Sequence, residues 1–368
     1  MTSFLFGSDP EQNIIACYQL NEKTIRVYKK INNIVSYEDR EFYPFFFISD
    51  ISLLEEFNPQ PLKKKLQGNN YYKYLCVFQN WNDLKNAGVH IRASRPFKWT
   101  KPLHYIHRDH KKLIIIDGRV AFTGGLNIAN EYRGFHRLRK IKGWRDTGIF
   151  LEGPIADTLL GIFKKSWEIW KGEPLNFQTE TILFDDGIPV IPIFASSSKS
   201  RKKMRKLLYY SISNSKESIY LTTAYFTPSI RMLNVLMDAI NKGVSVNLLL
   251  PGRSDVLSAH YAGRAFFTTL LKAGVRIYNY KGEMLHAKTS VFDCNWSIIG
   301  SANLDFQSMR RNDEGNVGIL DNNFGNKMID VFNEDLKNSE EIILENWLKR
   351  PFVEKLKESF FVLFRKRL

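Results

Sequence analysis

The sequence predicts an α/β protein of two pseudo-symmetric lobes, each a mostly parallel or mixed sheet flanked by helices, behind a small β-rich N-terminal segment. The first supporting observation is an internal repeat. HKKLIIID (residues 110–117) and HAKTSVFD (286–293) both read H-x-K-x4-D. Each runs on into an apolar strand and a small-residue turn, GRVAFTGGLN ending at Asn127 and CNWSIIGSAN ending at Asn303. Each is also preceded by a helix end, a Gly and a strand, DLKNAGVHI and LLKAGVRI. Two short strings can coincide, but matched flanks on both sides mark a repeat. The second observation is the alternation of strands and helices around the second copy, which implies a layered α/β sheet. The third is length: 368 residues, at roughly 150 per domain, leave room for two units.

In chain order, residues 1–82 form the β-rich segment, with NIIACYQL and TIRVYKK as paired strands. Residues 83–190 form the first lobe and 191–368 the second. The strand–helix–strand unit before LLKAGVRI has no visible counterpart before DLKNAGVHI. The first lobe is therefore expected to be incomplete, with exposed sheet edges. Between the lobes, IPIFASSSKSRKKMRK (191–206) starts strand-like and becomes a basic, Ser-rich connection whose run at 200–206 opens a solvated helix. IYLTTAYF (219–226) reads as a strand, and MLNVLMDAINKG (232–243) as a helix with Leu233, Leu236, Met237 and Ile240 on one face, stopped by Gly243. VSVNLLLPG follows as a buried, parallel-type strand. The last element, residues 350–368, places Phe352, Leu356, Phe360, Leu363 and Phe364 on one helical face. Lys355, Lys357, Arg365, Lys366 and Arg367 flank it. Such a face suits either an anionic lipid interface or the protein's own surface.

Composition narrows the function classes. A 44% hydrophobic and 25% charged chain is globular and excludes wholesale disorder. The richest apolar stretch, FYPFFFISDISLL (42–54), is cut by Pro44 and Asp50, so no membrane-spanning helix is expected. MTSFLFGSDPEQ has no basic region leading into an apolar run, so no cleaved signal peptide is expected there. Cys17, Cys76 and Cys294 are widely spaced and form no CxxC pair, which suits a reducing compartment and no thiolate metal site. Lys and Arg number 53 against 38 Asp and Glu, a net charge of +15, so the partner is anionic: nucleic acid or an acidic membrane surface.

The repeated residues suggest the chemistry. His110 and Lys112 are two apart and share one face of a strand, as do His286 and Lys288. Two imidazole–ammonium pairs brought together by pseudo-twofold packing suit a phosphodiester. One neutral histidine can attack phosphorus to give a phosphohistidine. The other, protonated, can donate to the leaving alkoxide and later activate the acceptor hydroxyl. Lys112 and Lys288 face the phosphoryl oxygens, with Asn127, Ser301 and Asn303 as short hydrogen-bond donors to the same oxygens. Gly124, Gly125 and Gly300 permit close backbone approach. Asp146, in GWRDTGIFLEG, and Glu314, in RRNDEGNVGIL, stand at matching places and are the candidates for orienting the two histidines. Asp117 and Asp293 complete the two motifs and belong to the candidate catalytic set, although anchoring a turn or a lysine suits them better than touching substrate. No cofactor is needed, and no Asp/Glu cluster accompanies the motifs as hard-cation ligands. His104 and His107 lack a third ligand at metal spacing. His260 and Tyr261 are further candidates for lining the site.

These residues carry a resemblance. From about residue 83 to 368 the chain resembles the phospholipase D superfamily, and within it bacterial cardiolipin synthases. The strings are RDHKKLIIIDGRVAFTGGLNIANEYRG, GWRDTGIFLEGP, TAYFTPS and MLHAKTSVFDCNWSIIGSANLDFQSMRRNDE. The resemblance implies two phospholipase D-like lobes and transfer of a phosphatidyl group between two phosphatidylglycerol molecules, with release of glycerol. It implies His110 as nucleophile, the reverse assignment remaining open, and anionic phospholipid at a membrane surface, rather than nucleic acid, as partner. A peripheral position on the cytoplasmic side of the membrane is expected. Hydrolysis with water as acceptor, nucleic-acid phosphodiester cleavage, and an inactive fusion are the alternative outcomes. Gln307 stands where an arginine is common in the family. Residues 1–82 are similar instead to the N-terminal end of family B DNA polymerases, through FLFGSDPEQNIIACYQL, FYPFFFISD and LQGNNYYKYLCVFQNW. They stop before any polymerase carboxylate motif, so no polymerase activity is expected, and a gene fusion or misjoined frame would account for them.

Overall fold

The computed structural model describes residues 89–92, 94, 107–127, 130–132, 143–175, 184 and 187–366, together with the backbone of four strands in the first 41 residues. Those four, β1 (Ser3–Phe4), β2 (Ile14–Asn21), β3 (Thr24–Ile31) and β4 (Ile34–Glu41), pair antiparallel in that order. The two strands expected at NIIACYQL and TIRVYKK are β2 and β3. The rest of the 1–82 segment lies outside the described residues, as does most of DLKNAGV.

The first repeat contributes a three-stranded antiparallel sheet, β5 (Leu113–Ile116), β6 (Val120–Gly124) and β7 (Gly148–Glu152). Helix α1 (Pro154–Ile169) follows at once, with Pro154 preset for a first helical turn. It buries Ala156, Leu159, Leu160, Phe163 and Trp167 at helical spacing.

The second repeat is larger. Its strands are β8 (Val190–Ala195), β9 (Ser218–Thr222), β10 (Ser245–Pro251), β11 (Arg276–Tyr280), β12 (Thr289–Phe292), β13 (Trp296–Gly300), β14 (Glu314–Leu320) and β15 (Ser339–Glu341). They form one sheet in the order β15-β11-β10-β9-β12-β13-β14-β8. Pairing is parallel where strands and helices alternate, β9 with β10 and β10 with β11, and antiparallel elsewhere. The mixture has a local cause. After each His–Lys motif the chain reverses in a tight turn, with left-handed backbone at Asp117 (φ 54°) and at Asp293 and Cys294 (φ 50° and 59°), which makes hairpins.

The helices of this half are α2 (Ser198–Asn214), α3 (Ile230–Asn241), α4 (Leu257–Arg264), α5 (Phe267–Ala273), α6 (Phe306–Arg310), α7 (Asn322–Leu336), α8 (Leu344–Leu348) and α9 (Phe352–Phe361). α2 begins with a reciprocal cap between Ser197 and Ser200, which satisfies two otherwise orphaned backbone donors. The basic run at its start is not wholly solvated: Arg201 is buried and pairs with Asp313 at 2.9 Å. α3 is capped by Ser229, buries Leu233 and Leu236, and ends before Gly243, whose φ of 87° suits glycine.

The repeat is visible in three dimensions: β5-β6-β7-α1 and β12-β13-β14-α7 follow the same order. The two arrays share one core. Leu113, Ile115, Ala121 and Leu151 come from the first, Val291, Ile299, Val317 and Ile319 from the second, and Leu159, Phe163 and Met328 from the two helices. Each fully buried aliphatic side chain contributes roughly 1.5–3 kcal/mol, so this shared core holds the two repeats face to face. The opposite face of the large sheet is covered by α2, α3 and α5 through Met204, Leu208, Ile212, Leu236 and Leu270. Among the described residues no helix is long and apolar enough to cross a membrane.

The hairpin turns also account for the motif aspartates. β5 separates Asp117 from the His110 end of its motif by roughly 13 Å of strand, and β12 does the same for Asp293. Both aspartates therefore leave the candidate catalytic set. The Asp293 carboxylate accepts backbone N–H bonds from Lys216, Glu217 and Ser218. Asp117 occupies the corresponding exposed turn. Asp293→Ala is expected to lower stability by about 1–2 kcal/mol, read as a denaturant midpoint, while the folded variant keeps its turnover within about twofold. A large loss of turnover without a loss of stability would contradict this.

Candidate active site

The site is assembled by two short parallel bridges that cross between the repeats. In one, Asp109 pairs with Asp313: the His110 N–H donates to the Asp313 carbonyl at 2.8 Å and the Asp313 N–H to the Arg108 carbonyl at 2.9 Å. In the other, Arg145 pairs with Leu285: the Arg145 N–H donates to the Met284 carbonyl at 2.9 Å and the His286 N–H to the Arg145 carbonyl at 2.6 Å. Each histidine is thus stitched by its backbone beside the carboxylate residue of the other repeat. Ion pairs hold the stitching segments, Arg201 with Asp313 and Arg145 with Asp335.

The side chains follow the backbone. His110 donates from Nδ1 to Glu314 Oε2 at 3.1 Å, and the Ser301 hydroxyl donates to the same oxygen at 2.5 Å. At His286, Asp146 Oδ2, the Tyr132 hydroxyl and Lys288 Nζ all stand 2.7 Å from Nδ1. The carboxylate can only accept, and the Lys288 ammonium, which can only donate, has the His286 carbonyl as its acceptor, so the ring proton is assigned to Nδ1, pointing at Asp146. Nε2 is left with its lone pair. Tyr132 then donates to Asp146 Oδ2 at 3.2 Å, and the Lys288 ammonium donates to the His286 carbonyl. Lys112 makes the matching bond to the His110 carbonyl at 2.8 Å. The rings of Tyr132, Trp144 and Tyr225 wall His286 at centroid distances of 5.9, 5.4 and 6.3 Å. His110 is the more open ring, its side chain 20% exposed against 5% for His286.

Burial and charge set the protonation states. Burial, then the Lys112 charge, lowers the pKa of His110, and the Lys288 charge reaches it as well. Burial, then Lys288, pushes His286 down to about 3, with Lys112 contributing. These cross-repeat effects place both imidazoles and both ammonium groups in one electrostatic cleft. Burial opposes ionisation of Glu314 and Asp146. His110 on the first carboxylate, and Lys288 and His286 on the second, outweigh it and hold both below their usual range. Burial pushes Lys288 down to about 7. A lowered lysine is charged below its pKa and neutral above it. The expected consequence is a kcat/KM that falls as pH rises through about 7, as Lys288 loses its proton. The corresponding limb in kcat should lie at higher pH, because a bound phosphodiester anion favours the ammonium form. A kcat/KM flat from about pH 6 to 9 would contradict this assignment.

Most expected site residues converge here, with changes of role. Ser301 is fully buried, gives its proton to Glu314 and accepts from the Gly315 N–H. It therefore positions the carboxylate and does not serve as a phosphoryl donor. Asn303 accepts at Oδ1 from Thr223 and the Tyr225 N–H, which turns its amide NH2 the other way. Asn127 Nδ2 stands 3.5 Å from the Tyr132 hydroxyl. At Gly125 a side chain would collide with the Asp146 carboxylate, and at Gly300 with Asn316. These glycines make room for protein groups rather than for substrate. Gly124 is held at φ 142°. His107 donates from Nδ1 to the Arg311 carbonyl at 2.9 Å, and His104 lies outside the described residues. Among the described residues no three His, Cys, Asp or Glu side chains gather as metal ligands. His260 lines a small cavity with Tyr225 and Ser254, while Tyr261 stacks on Phe361. Tyr132 and Trp144 escaped the sequence reading because neither has a partner in the other repeat. Their only signal was their place in the strings GGLNIANEY and GWRDT.

Residues 208–336 match the family model described as cardiolipin synthase, PLD-like domain. That stretch of the chain is similar to a phospholipase D-like domain. The chain is 35% identical over 286 residues to the probable cardiolipin synthase YwiE of Bacillus subtilis (strain 168), a match covering 76% of this chain and 56% of that protein. It is 33% identical over 282 residues to a cardiolipin synthase of Alkalihalophilus pseudofirmus, covering 75% and 56%. The chain thus spans little more than half the length of these curated relatives. The crystal structure of phosphatidylserine synthase from Haemophilus influenzae Rd KW20 is similar in fold to this chain, with a TM-score of 0.54 and 12% identity, over 72% of this chain and 71% of that one.

Proposed function

We propose that this protein is a phosphatidyltransferase that makes cardiolipin from two molecules of phosphatidylglycerol. The reading rests on one observation: two histidines, each oriented by the carboxylate of the other repeat, in one cleft with two buried or half-buried lysines. His110 is the nucleophile, because its ring is the more open of the two and Glu314 leaves its Nε2 free of the ring proton. Nε2 attacks phosphorus, forming a P–N bond as the P–O bond to glycerol breaks. His286, protonated at Nε2 while the phosphodiester anion is bound, gives that proton to the departing glycerol oxygen. A hydroxyl of a second phosphatidylglycerol then returns a proton to His286 and attacks phosphorus, releasing His110. Lys112, Lys288 and the amides of Asn127 and Asn303 hold the phosphoryl oxygens, where negative charge collects. The chemistry calls for neither metal nor cofactor, and a phosphatidylglycerol substrate together with the basic net charge supports work at the surface of an anionic membrane.

Water would give phosphatidic acid from the same intermediate, so products distinguish the acceptors. Incubated with phosphatidylglycerol, the protein is expected to yield cardiolipin and glycerol in equal amounts. Phosphatidic acid without cardiolipin would make it a hydrolase, and salt-sensitive cleavage of DNA with no lipid product would make it a nuclease.

A further inference from the structure

The C-terminal helix α9 is packed the wrong way round for a surface helix. Such helices normally turn an apolar stripe inward and a charged face to water. Here Glu358, only 2% exposed, is the buried residue. Arg350 reaches it at 2.7 Å and Arg264 of α4 at 3.0 Å, and Arg264 also reaches Glu354 at 3.3 Å. Tyr261 of α4 stacks on Phe361 at 5.9 Å. The polar side is thus clamped to α4. The apolar side, Phe352, Val353, Leu356, Phe360 and Leu363, stands 53–76% exposed, and Phe364 in the following turn is 40% exposed. Single exposed apolar residues are ordinary, but a contiguous row on one element marks an interaction surface.

Charge identifies the occupant. Residues 349–366 carry six Lys and Arg (Lys349, Arg350, Lys355, Lys357, Arg365, Lys366) against two Glu, and both Glu are already paired with Arg or Lys. An apolar row rimmed by uncompensated basic charge fits the headgroup–acyl boundary of an anionic bilayer. The supporting helix also leads to the chemistry. Just before α4, Asp255 accepts the Tyr225 hydroxyl at 2.8 Å, and the Tyr225 ring lies 6.3 Å from His286.

We infer that the outward apolar face of residues 352–364 docks this protein onto anionic phospholipid bilayers beside the cleft. The inference draws on the proposed function only for the choice of phosphatidylglycerol as probe. The test compares the full chain with a Phe360→Ser, Leu363→Ser variant, both exposed positions, in sedimentation with vesicles of mixed phosphatidylglycerol and phosphatidylcholine or of phosphatidylcholine alone. Activity on detergent-dispersed phosphatidylglycerol is measured in parallel. The full chain should bind the anionic vesicles, less at high salt, and the variant's partitioning should drop roughly tenfold or more with its micellar behaviour unchanged. Equal partitioning of the two proteins overturns the inference, as does a full chain that dimerises where the variant is monomeric, which would make a second copy the occupant. A fall in vesicle binding by a protein with no transferase activity in micelles supports the docking face while removing the proposed activity.

Discussion

His110→Ala and His286→Ala are each expected to lose cardiolipin formation by about 10⁴-fold or more. On the proposed mechanism, removing the first deletes the atom that takes the phosphatidyl group. Removing the second leaves glycerol to depart as an unprotonated alkoxide. Because the two act in one sequence of bonds, the double variant should be little worse than either single one. Neither change should unfold the chain: His110 is partly open to solvent, and the aromatic wall of Tyr132, Trp144 and Tyr225 surrounds the His286 site without it. Lipid chromatography of the products, with thermal melts as the folding control, reads the outcome. Retention of activity within about tenfold by either variant would remove the two-histidine mechanism.

Asp146→Asn and Glu314→Gln are expected to cost about 10²–10⁴-fold in kcat. Both substitutions keep shape and volume. A carboxamide, however, can turn its NH2 toward the ring, which favours the proton on Nε2 and masks the nitrogen that reacts. The crossed bridges dictate which ring responds. Asp146→Asn should move the nitrogen chemical shifts of His286 and leave His110 nearly unchanged, and Glu314→Gln should do the reverse. A response of each histidine to the carboxylate of its own repeat would contradict the crossed arrangement.

Much of this was legible in the sequence because the repeat writes it twice. The His–Lys pairs, the strand after each and the carboxylates at matching places all recur at equivalent positions. Parallel pairing was legible for β9, β10 and β11, where strands and helices alternate. The crossing was not, because sequence position says that two carboxylates exist and nothing about which copy faces which. The role of Ser301 was hidden for a related reason: its hydroxyl could serve substrate or carboxylate, and only the 2.5 Å bond to Glu314 decides. Tyr132 and Trp144 have no echo in the second repeat, so no internal comparison singles them out. The amphipathic pattern of residues 350–368 was plain, yet the same pattern serves a core-facing or a lipid-facing helix. The clamp on Glu358, made by nearby Arg350 and by Arg264, which is remote in sequence, sets which side faces out.

The central claim is that a histidine of one repeat carries the phosphatidyl group while the other repeat handles the proton. Acid-free rapid quenching during turnover of phosphatidylglycerol, followed by peptide mass spectrometry, tests it most directly. One phosphatidyl group per chain on the peptide containing His110, absent from the His110→Ala protein, is the result expected. Turnover to cardiolipin with no histidine adduct, or with the adduct on another residue, would contradict it.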